Sequence, residues 1–388
     1  MNGSRVKSEL LARAGRFARE VVTPGAPLWE AQRRIAREAI EAAAALGLTA
    51  VEVPKDWGGL GLGFGLKAQL AETLGAADFG FTMSLINTHN VAAKLAREGT
   101  PAVARSYLPD LLAGRRLGCT ALTEATAGSD FGAIRTHAQR TAQGWRIDGA
   151  KAWITNAAEA DVIVLYAQTE PGSGGRGIAC FIVDGRRSGF VREPAYALAG
   201  QHAIGTGGFR LEGYVAHDDE LLQPPGQAFK SALHSINGAR CYIAAMCNGM
   251  VGEALRVAQA HGEERHSFGQ PLAEHQGWRW RLAEAATELA AGRLMVEAAA
   301  QAVEAGGDAQ LAAAEAKLFC TRMAERQLPV LTQAMGAEGL RQQHPFGRHL
   351  AGARVASYVD GSSEMLLERI ARLNRTRGSA WGGAQQRA

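Results

Sequence analysis

Two changes of texture, near residues 117 and 229, constrain the fold of this chain more than any single residue does. Up to residue 116, Ala, Leu, Arg and Glu recur at helical spacing, as in segments 30–46, 66–76 and 102–113. VPKDWGGLGLGFG at 53–65, with a Pro and five glycines, interrupts the pattern. REGTP at 97–101 ends one helix and begins the next, with Thr100 preceding Pro101 at a first-turn position. From 117 to 228 the runs turn short and β-rich: GWRIDGAKAWIT, DVIVLYAQ, GIACFIVD and GGFRLEGYVAH, divided by Gly, Pro and Asp. From 229 helical spacing returns in 236–261, 272–304 and 311–335. The expected fold is α+β and mostly α: an N-terminal helical domain (1–116), a middle antiparallel β domain (117–228) and a C-terminal four-helix bundle (229–388). Apart from a polar tail after Thr376, there is no repeat or low-complexity tract.

Composition removes several classes of function. A chain of 388 residues, 47% hydrophobic, buries a large core, and its formal charge of +4 includes no run of like charge for a nucleic-acid arm. Only seven of the 42 basic residues are Lys; the scattered Arg suits phosphates on a small ligand, or reflects a general preference for Arg. The amino-terminal segment lacks the apolar core of an export signal, and the longest apolar stretch, 241–251, is well short of the roughly 20 residues that span a bilayer. Cys119, Cys180, Cys241, Cys247 and Cys320 form no C-x-x-C pair, so neither a metal knuckle nor a disulfide frame is expected. They read as buried small residues of a cytoplasmic protein.

One motif is a decoy. Gly172, Gly174 and Gly177 satisfy G-x-G-x-x-G, but the segment that follows, IACFIVD, reads as a strand rather than the helix a dinucleotide fingerprint requires, so a hairpin loop is expected. There is no G-x-S-x-G elbow, H-E-x-x-H pair or P-loop.

Four other segments carry more weight together than singly: ALTEATAGSD (121–130), KAWITN (151–156), RHSFGQPLAEHQ (265–276) and VDGSSEM (359–365). In the first, the small turn at Ala127 and Gly128 lets backbone donors and the Ser129 hydroxyl approach a flat ring, with Thr123 offering a second hydroxyl. Taken alone, each segment is also explained as a capping turn or a strand tryptophan.

In their order and spacing the four segments resemble the acyl-CoA dehydrogenase family, whose members hold FAD against an acyl thioester and remove two hydrogens from the acyl chain. The resemblance implies that Thr120, Ala121, Leu122, Thr123, Gly128 and Ser129 line the isoalloxazine, with Trp153, Ile154 and Thr155 over its other side. It implies that Arg265, Ser267, Phe268, His275 and Gln276 contact the FAD diphosphate and adenine, usually from a neighbouring subunit. Gln333, Met335, Gly336 and Ala337, in QAMGAEG, would reach FAD across the dimer, with Ala337 where a second glycine is usual and a looser loop therefore expected. Ser362, Ser363 and Glu364 complete the implied FAD contacts, while Ser129, Asn237, Arg240 and Gly361 are the implied substrate contacts, Arg240 lying near the pantetheine and diphosphate of CoA. Acyl-CoA or an acyl-carrier protein is the implied substrate, an electron-transfer flavoprotein the implied acceptor, and a homodimer or homotetramer the implied assembly.

The departure from the family lies at the base. Arg348, Leu350, Arg354, Gly361 and Glu364 keep the family's C-terminal register, but the position of the usual glutamate is Asp360, and the alternative site one residue before Arg240 is Ala239. Drawing a proton from the α-carbon of a thioester requires a positioned carboxylate, and burial raises its pKa toward that weak acid. Aspartate falls short of glutamate by roughly 1.5 Å, one carbon–carbon bond. A displacement of about 1 Å costs on the order of a hundredfold in rate. Either the enzyme is slow on ordinary acyl-CoAs, its substrate lies deeper, or the reaction differs. Val359 and Gly352 also replace the usual aromatic and acidic residues.

Three alternatives stay open. Asp360 is also in place simply to cap the last helix. Nitroalkane oxidases, which resemble this family, use an aspartate base, so a flavin oxidase or monooxygenase on the same scaffold is a second reading. A catalytically degenerate FAD-binding subunit is a third. Segment 81–94, with Ser84, Leu85 and Asn87, is expected to line the acyl tunnel, its polar residues favouring a short or hydroxylated chain.

Overall fold

The computed structural model describes residues 3–376, so the polar tail lies outside the described residues. The chain divides into two compact units, residues 1–235 and 236–388.

The first unit opens with helices α1 (Gly3–Phe17), α2 (Thr23–Gln32), α3 (Arg37–Ala45), α4 (Phe64–Gly75), α5 (Phe79–Glu98) and α6 (Pro101–Leu112). The apolar faces of α1–α5 share a core in which Trp29 stacks on Phe81 and Leu70, Leu74 and Leu85 are buried, while α6 packs its buried face in a second cluster with the later strands Val162–Gln168 and Ile178–Asp184. The expected start of α6 is as found: the Thr100 hydroxyl accepts from Val103 N at 3.3 Å, and Pro101 occupies the first turn. The helix expected over 30–46 is broken. Arg33 takes a left-handed φ of 59°, and the Glu30 carboxylate accepts from the backbone of His202 and Ala203, a long-range anchor that helical spacing does not register.

Eight strands follow: β1 (Gly118–Ala121), β2 (His137–Thr141), β3 (Gly144–Ile154), β4 (Val162–Gln168), β5 (Ile178–Asp184), β6 (Phe190–Ala195), β7 (Gly207–Ala216) and β8 (Leu221–Gln223). They form one sheet in the order β6-β7-β3-β2-β4-β5-β8, with β1 beside β4. Pairing is mainly antiparallel, as expected, but β1 runs parallel to β4, Gly118 opposite Val162 and Ala121 opposite Leu165. The central strands β4 and β5 are buried almost throughout, which explains their unbroken apolar runs. Gly172 and Gly174 lie in the loop joining antiparallel β4 and β5, so the glycine motif is a hairpin connection.

Helix α7 (Ala228–Glu264) contains the boundary between the units. The second unit continues with a short hairpin of β9 (His266–Ser267) and β10 (Gln270–Pro271). It ends in helices α8 (Gln276–Glu304), α9 (Gln310–Ala334), α10 (Phe346–Tyr358) and α11 (Ser363–Thr376). The helix expected from residue 272 begins at Gln276, because Leu272–Glu274 forms a separate short turn. All five cysteines are free and buried, and among the described residues no helix is long and apolar enough to cross a membrane.

Candidate active site

In the first unit, the turn after β1 and the end of β3 are stitched together. Glu124 and Ala127 exchange backbone hydrogen bonds, and Ala152 N donates to Thr123 O at 3.0 Å. A register shift in β3 between Lys151 and Ile154 gives Trp153 a φ of 62° and leaves its indole 59% exposed, edge-on to Tyr196. A tryptophan at positive φ is a strained and uncommon choice. Asn156, also left-handed at φ 64°, donates to Ser84 O and Gly118 O and fixes the end of this bulge. Gly128 and Ser129 are exposed, while Thr120, Leu122, Thr123 and Thr155 are half-buried. Ala121 and Ile154 turn their side chains into the sheet core, so any contact they make with a ligand would be through their backbone.

Beneath this platform lies a buried ion pair. Lys151 Nζ donates to Glu124 Oε1 and to Leu122 O, each at 2.9 Å, and Glu124 accepts further from the backbone N–H groups of Arg135 and Thr136. Burial pushes the Glu124 carboxyl up, but Lys151 and these donors outweigh it and hold the group below its ordinary range.

The implied acyl-tunnel residues divide. Leu85 packs into the helical core, Ser84 is buried with its carbonyl taken by Asn156, and only Asn87 is partly accessible, its amide returning to Met83 O.

In the second unit, Arg265 is exposed, and its guanidinium has no hydrogen bond or ion pair among the described residues. Phe268, at the hairpin tip with φ 49°, is 95% exposed. His275 Nε2 lies 3.0 Å from Ser267 O, fixing the base of the hairpin, and Gln276 is exposed at the start of α8. Trp278 Nε1 donates to Ala334 O, which ties the start of α8 to the end of α9, next to the turn holding Gly336 and Ala337. Gly336 supplies the left-handed residue there at φ 60°, so Ala337 needs no glycine conformation. Met335 is 3% exposed: its side chain fills the core at the end of α9 and leaves its backbone for any ligand contact.

Asp360 lies at the most constrained point of this unit. It follows α10 with φ 54°, a left-handed conformation that Asp tolerates better than most residues, and precedes Gly361 at φ 104°. Two cations pin the backbone: Arg240 Nε on α7 donates to Asp360 O at 3.1 Å, and Lys317 Nζ on α9 donates to Gly361 O at 2.8 Å. The residue is only partly exposed. Burial raises the pKa above the ordinary Asp range, against the opposing pull of Lys317 and Arg240. Asp360 does not cap the last helix. That hydrogen bond comes from Ser362, whose hydroxyl accepts from Met365 N at 3.5 Å, so the simple capping alternative falls away. Ser363 is half-buried and Glu364 is exposed in the first turn of α11.

Arg240 itself is 6% exposed, with Nη1 on Asn237 Oδ1 at 3.1 Å. Burial and the nearby Arg369 bring its guanidinium down to about 10. A guanidinium so enclosed acts on the Asp360 loop before it can act on any phosphate.

Sequence reasoning missed Lys317, Lys151 and Glu124. A signal was available: in a chain that prefers Arg so strongly, Lys67, Lys151 and Lys317 are three of only seven lysines, and all three are buried. A compact ammonium fits where a guanidinium fork does not.

Three family models match in succession: the acyl-CoA dehydrogenase N-terminal domain over residues 5–115, the middle domain over 119–214 and the C-terminal domain over 226–373. The chain is 30% identical over 374 residues to the acryloyl-CoA reductase (NADH) of Anaerotignum propionicum, an alignment covering 94% of each protein. It superposes on butyryl-CoA dehydrogenase from Megasphaera elsdenii with a TM-score of 0.91 at 26% identity, covering 96% of this chain and 99% of that one. It superposes equally well, with a TM-score of 0.91 at 25% identity and coverage of 97% and 99%, on the structure of PigA with FAD and proline. With all three models in order and relatives aligned almost end to end, the chain belongs to the acyl-CoA dehydrogenase family.

Proposed function

We propose that this protein is an FAD-dependent dehydrogenase that forms the α,β double bond of a short acyl-CoA, with Asp360 as the base. The observation that carries the reading is the placing of Asp360: a carboxylate on a left-handed turn, spared from capping, with the turn's carbonyls held by Arg240 and Lys317; burial raises its pKa in support. The butyryl and acryloyl relatives handle short acyl-CoAs, which favours a short chain here.

The residues suit a flavin. An exposed indole on a strained bulge offers a flat apolar surface, and the turn tied to that strand through Ala152 N and Thr123 O carries exposed Gly128 and Ser129 as backbone and hydroxyl donors. Thr123, Ser129, Trp153 and Thr155 would hold the ring, and Arg265, without a partner among the described residues, would meet the diphosphate. When bound, FAD supplies the acceptor for the hydride that leaves the β-carbon. Asp360 breaks the α-carbon–hydrogen bond and takes the proton on its carboxylate. Arg240 and Lys317 keep the carbonyls of Asp360 and Gly361 in place, so the short side chain approaches from a fixed backbone. Electron-transfer flavoprotein as acceptor, a homodimeric or homotetrameric assembly and a cytoplasmic location belong to the same proposal.

Anaerobic titration of the purified flavoprotein with a panel of acyl-CoA and acyl-carrier-protein thioesters, followed by flavin absorbance, tests it. Short acyl-CoAs should bleach the flavin, and Asp360→Asn, which keeps a side chain tolerant of the left-handed backbone, should abolish bleaching. Oxygen consumption with nitroethane and no response to any thioester would overturn the reading in favour of an oxidase.

A further inference from the structure

We infer that Lys317 is a positioning residue that, through its hydrogen bond to Gly361 O, fixes the Asp360–Gly361 backbone and sets the charge environment of the base. The inference rests on the reading of Asp360 as the base.

Lys317 is 0% exposed, in the middle of α9. A buried ammonium is costly unless its charge and its three N–H groups are used. Among the described residues its single hydrogen bond is to Gly361 O at 2.8 Å, and the carboxylate that most favours its charge is Asp360. A Met or Leu would fill the same space without that cost. What the ammonium adds is an anchor on the carbonyl of a residue at φ 104°, together with a positive charge that favours the ionised form of Asp360.

The surrounding charges define the effect. From α7, Arg240 and Cys247 face this cluster; from α9, Glu325; and from α11, Arg369 acts on Arg240. Of these, only Lys317 and Arg240 act on Asp360, and both favour its ionised form against burial. Burial in turn pulls Lys317 down to about 8, against the pull of Asp360, so the ammonium still carries its charge at neutral pH.

The test measures flavin reduction by a short acyl-CoA in the holoenzyme across pH. Lys317→Met should lower the rate at neutral pH at least about tenfold through the loosened loop. It should also move the acid limb of the rate profile upward by about one pH unit, because a favourable cation has been removed from the base. KM should stay unchanged. Lys317→Arg should keep the acid limb where it is while lowering the rate, since the charge remains and the reach changes. An unmoved acid limb in Lys317→Met overturns the inference, because a merely structural lysine affects stability and flavin content but not the ionisation of the base. If Lys317→Met does not fold, Lys317→Gln takes its place under the same criterion: an acid limb moved upward supports the inference, and an unmoved limb overturns it. Failure of the base assignment is separately visible as undiminished reduction by Asp360→Asn.

Discussion

Each unit buries a lysine beside an acidic residue, and the two arrangements are put to opposite use. Lys151 binds Glu124 directly at 2.9 Å, and the carboxylate collects two backbone donors as well, so its pKa is pressed down. Lys317 instead bonds to the carbonyl of Gly361, and the Asp360 carboxyl is left with a raised pKa. Both ammonium groups are drawn by burial to about 8. The same residue types thus build a locked structural pair in one place and an available base in the other, and the difference lies in which oxygen the lysine grips. A fully satisfied carboxylate has no capacity left for a substrate proton.

The largest effect should come from breaking the locked pair. Glu124→Gln leaves Lys151 buried without its counter-charge and is expected to cost about 3–5 kcal/mol in urea or thermal unfolding. Asp360→Asn should cost far less stability but lower the rate of flavin reduction by about 10²–10⁴-fold, the usual worth of a general base. If both variants lost stability equally, the contrast between the pairs would fail. Next in size, Gly361→Ala forces a side chain into φ 104° with its Cβ 3.3 Å from an Arg240 nitrogen, and should cost about 1–3 kcal/mol.

The pH dependence separates the pairs by sign. Glu124 has a lowered pKa in the folded state, so its contribution is present above the unfolded value, 4.5, and is lost as pH falls below it toward the folded one. Asp360 is raised, so the unfolded chain ionises first and stability drains as pH rises from 3.8 toward the folded value. Relative to the parent, Glu124→Gln should therefore fall further behind as pH rises through the acid range, whereas Asp360→Asn should gain. Urea midpoints measured at a series of pH values read both slopes; slopes of equal sign would contradict the assignment.

How far the sequence disclosed this contrast depends on the distance over which each part is determined. The alternation of helical and β-rich texture, the β4–β5 loop at Gly172 and Gly174 and the Thr100 cap are local properties, readable from spacing alone. Asp360 stood out because it departs from a family pattern. Lys317 did not, because within AAAEAKLF it reads as one more polar residue on a helix, and its hydrogen-bond partner, Gly361, is 44 positions away. Strand periodicity also carries no direction, so the parallel pairing of β1 with β4 was hidden, as was the break at Arg33 that Glu30 secures through His202.

The smallest expected effect tests whether Asp360 is free of structural duty. Ser362 supplies the cap of α11 through a long hydrogen bond of 3.5 Å to Met365 N, so Ser362→Ala should cost about 0.5–1 kcal/mol, toward the weak end of measured caps. If Ser362 were dispensable because the Asp360 carboxylate takes over the cap, the variant would lose no stability. It would instead lower the pKa of Asp360, since the exposed amide donors of the first turn favour the ionised form. The acid limb of flavin reduction would then move down in Ser362→Ala. An unmoved limb together with a small loss of stability keeps the two jobs on two residues, capping on Ser362 and proton transfer on Asp360.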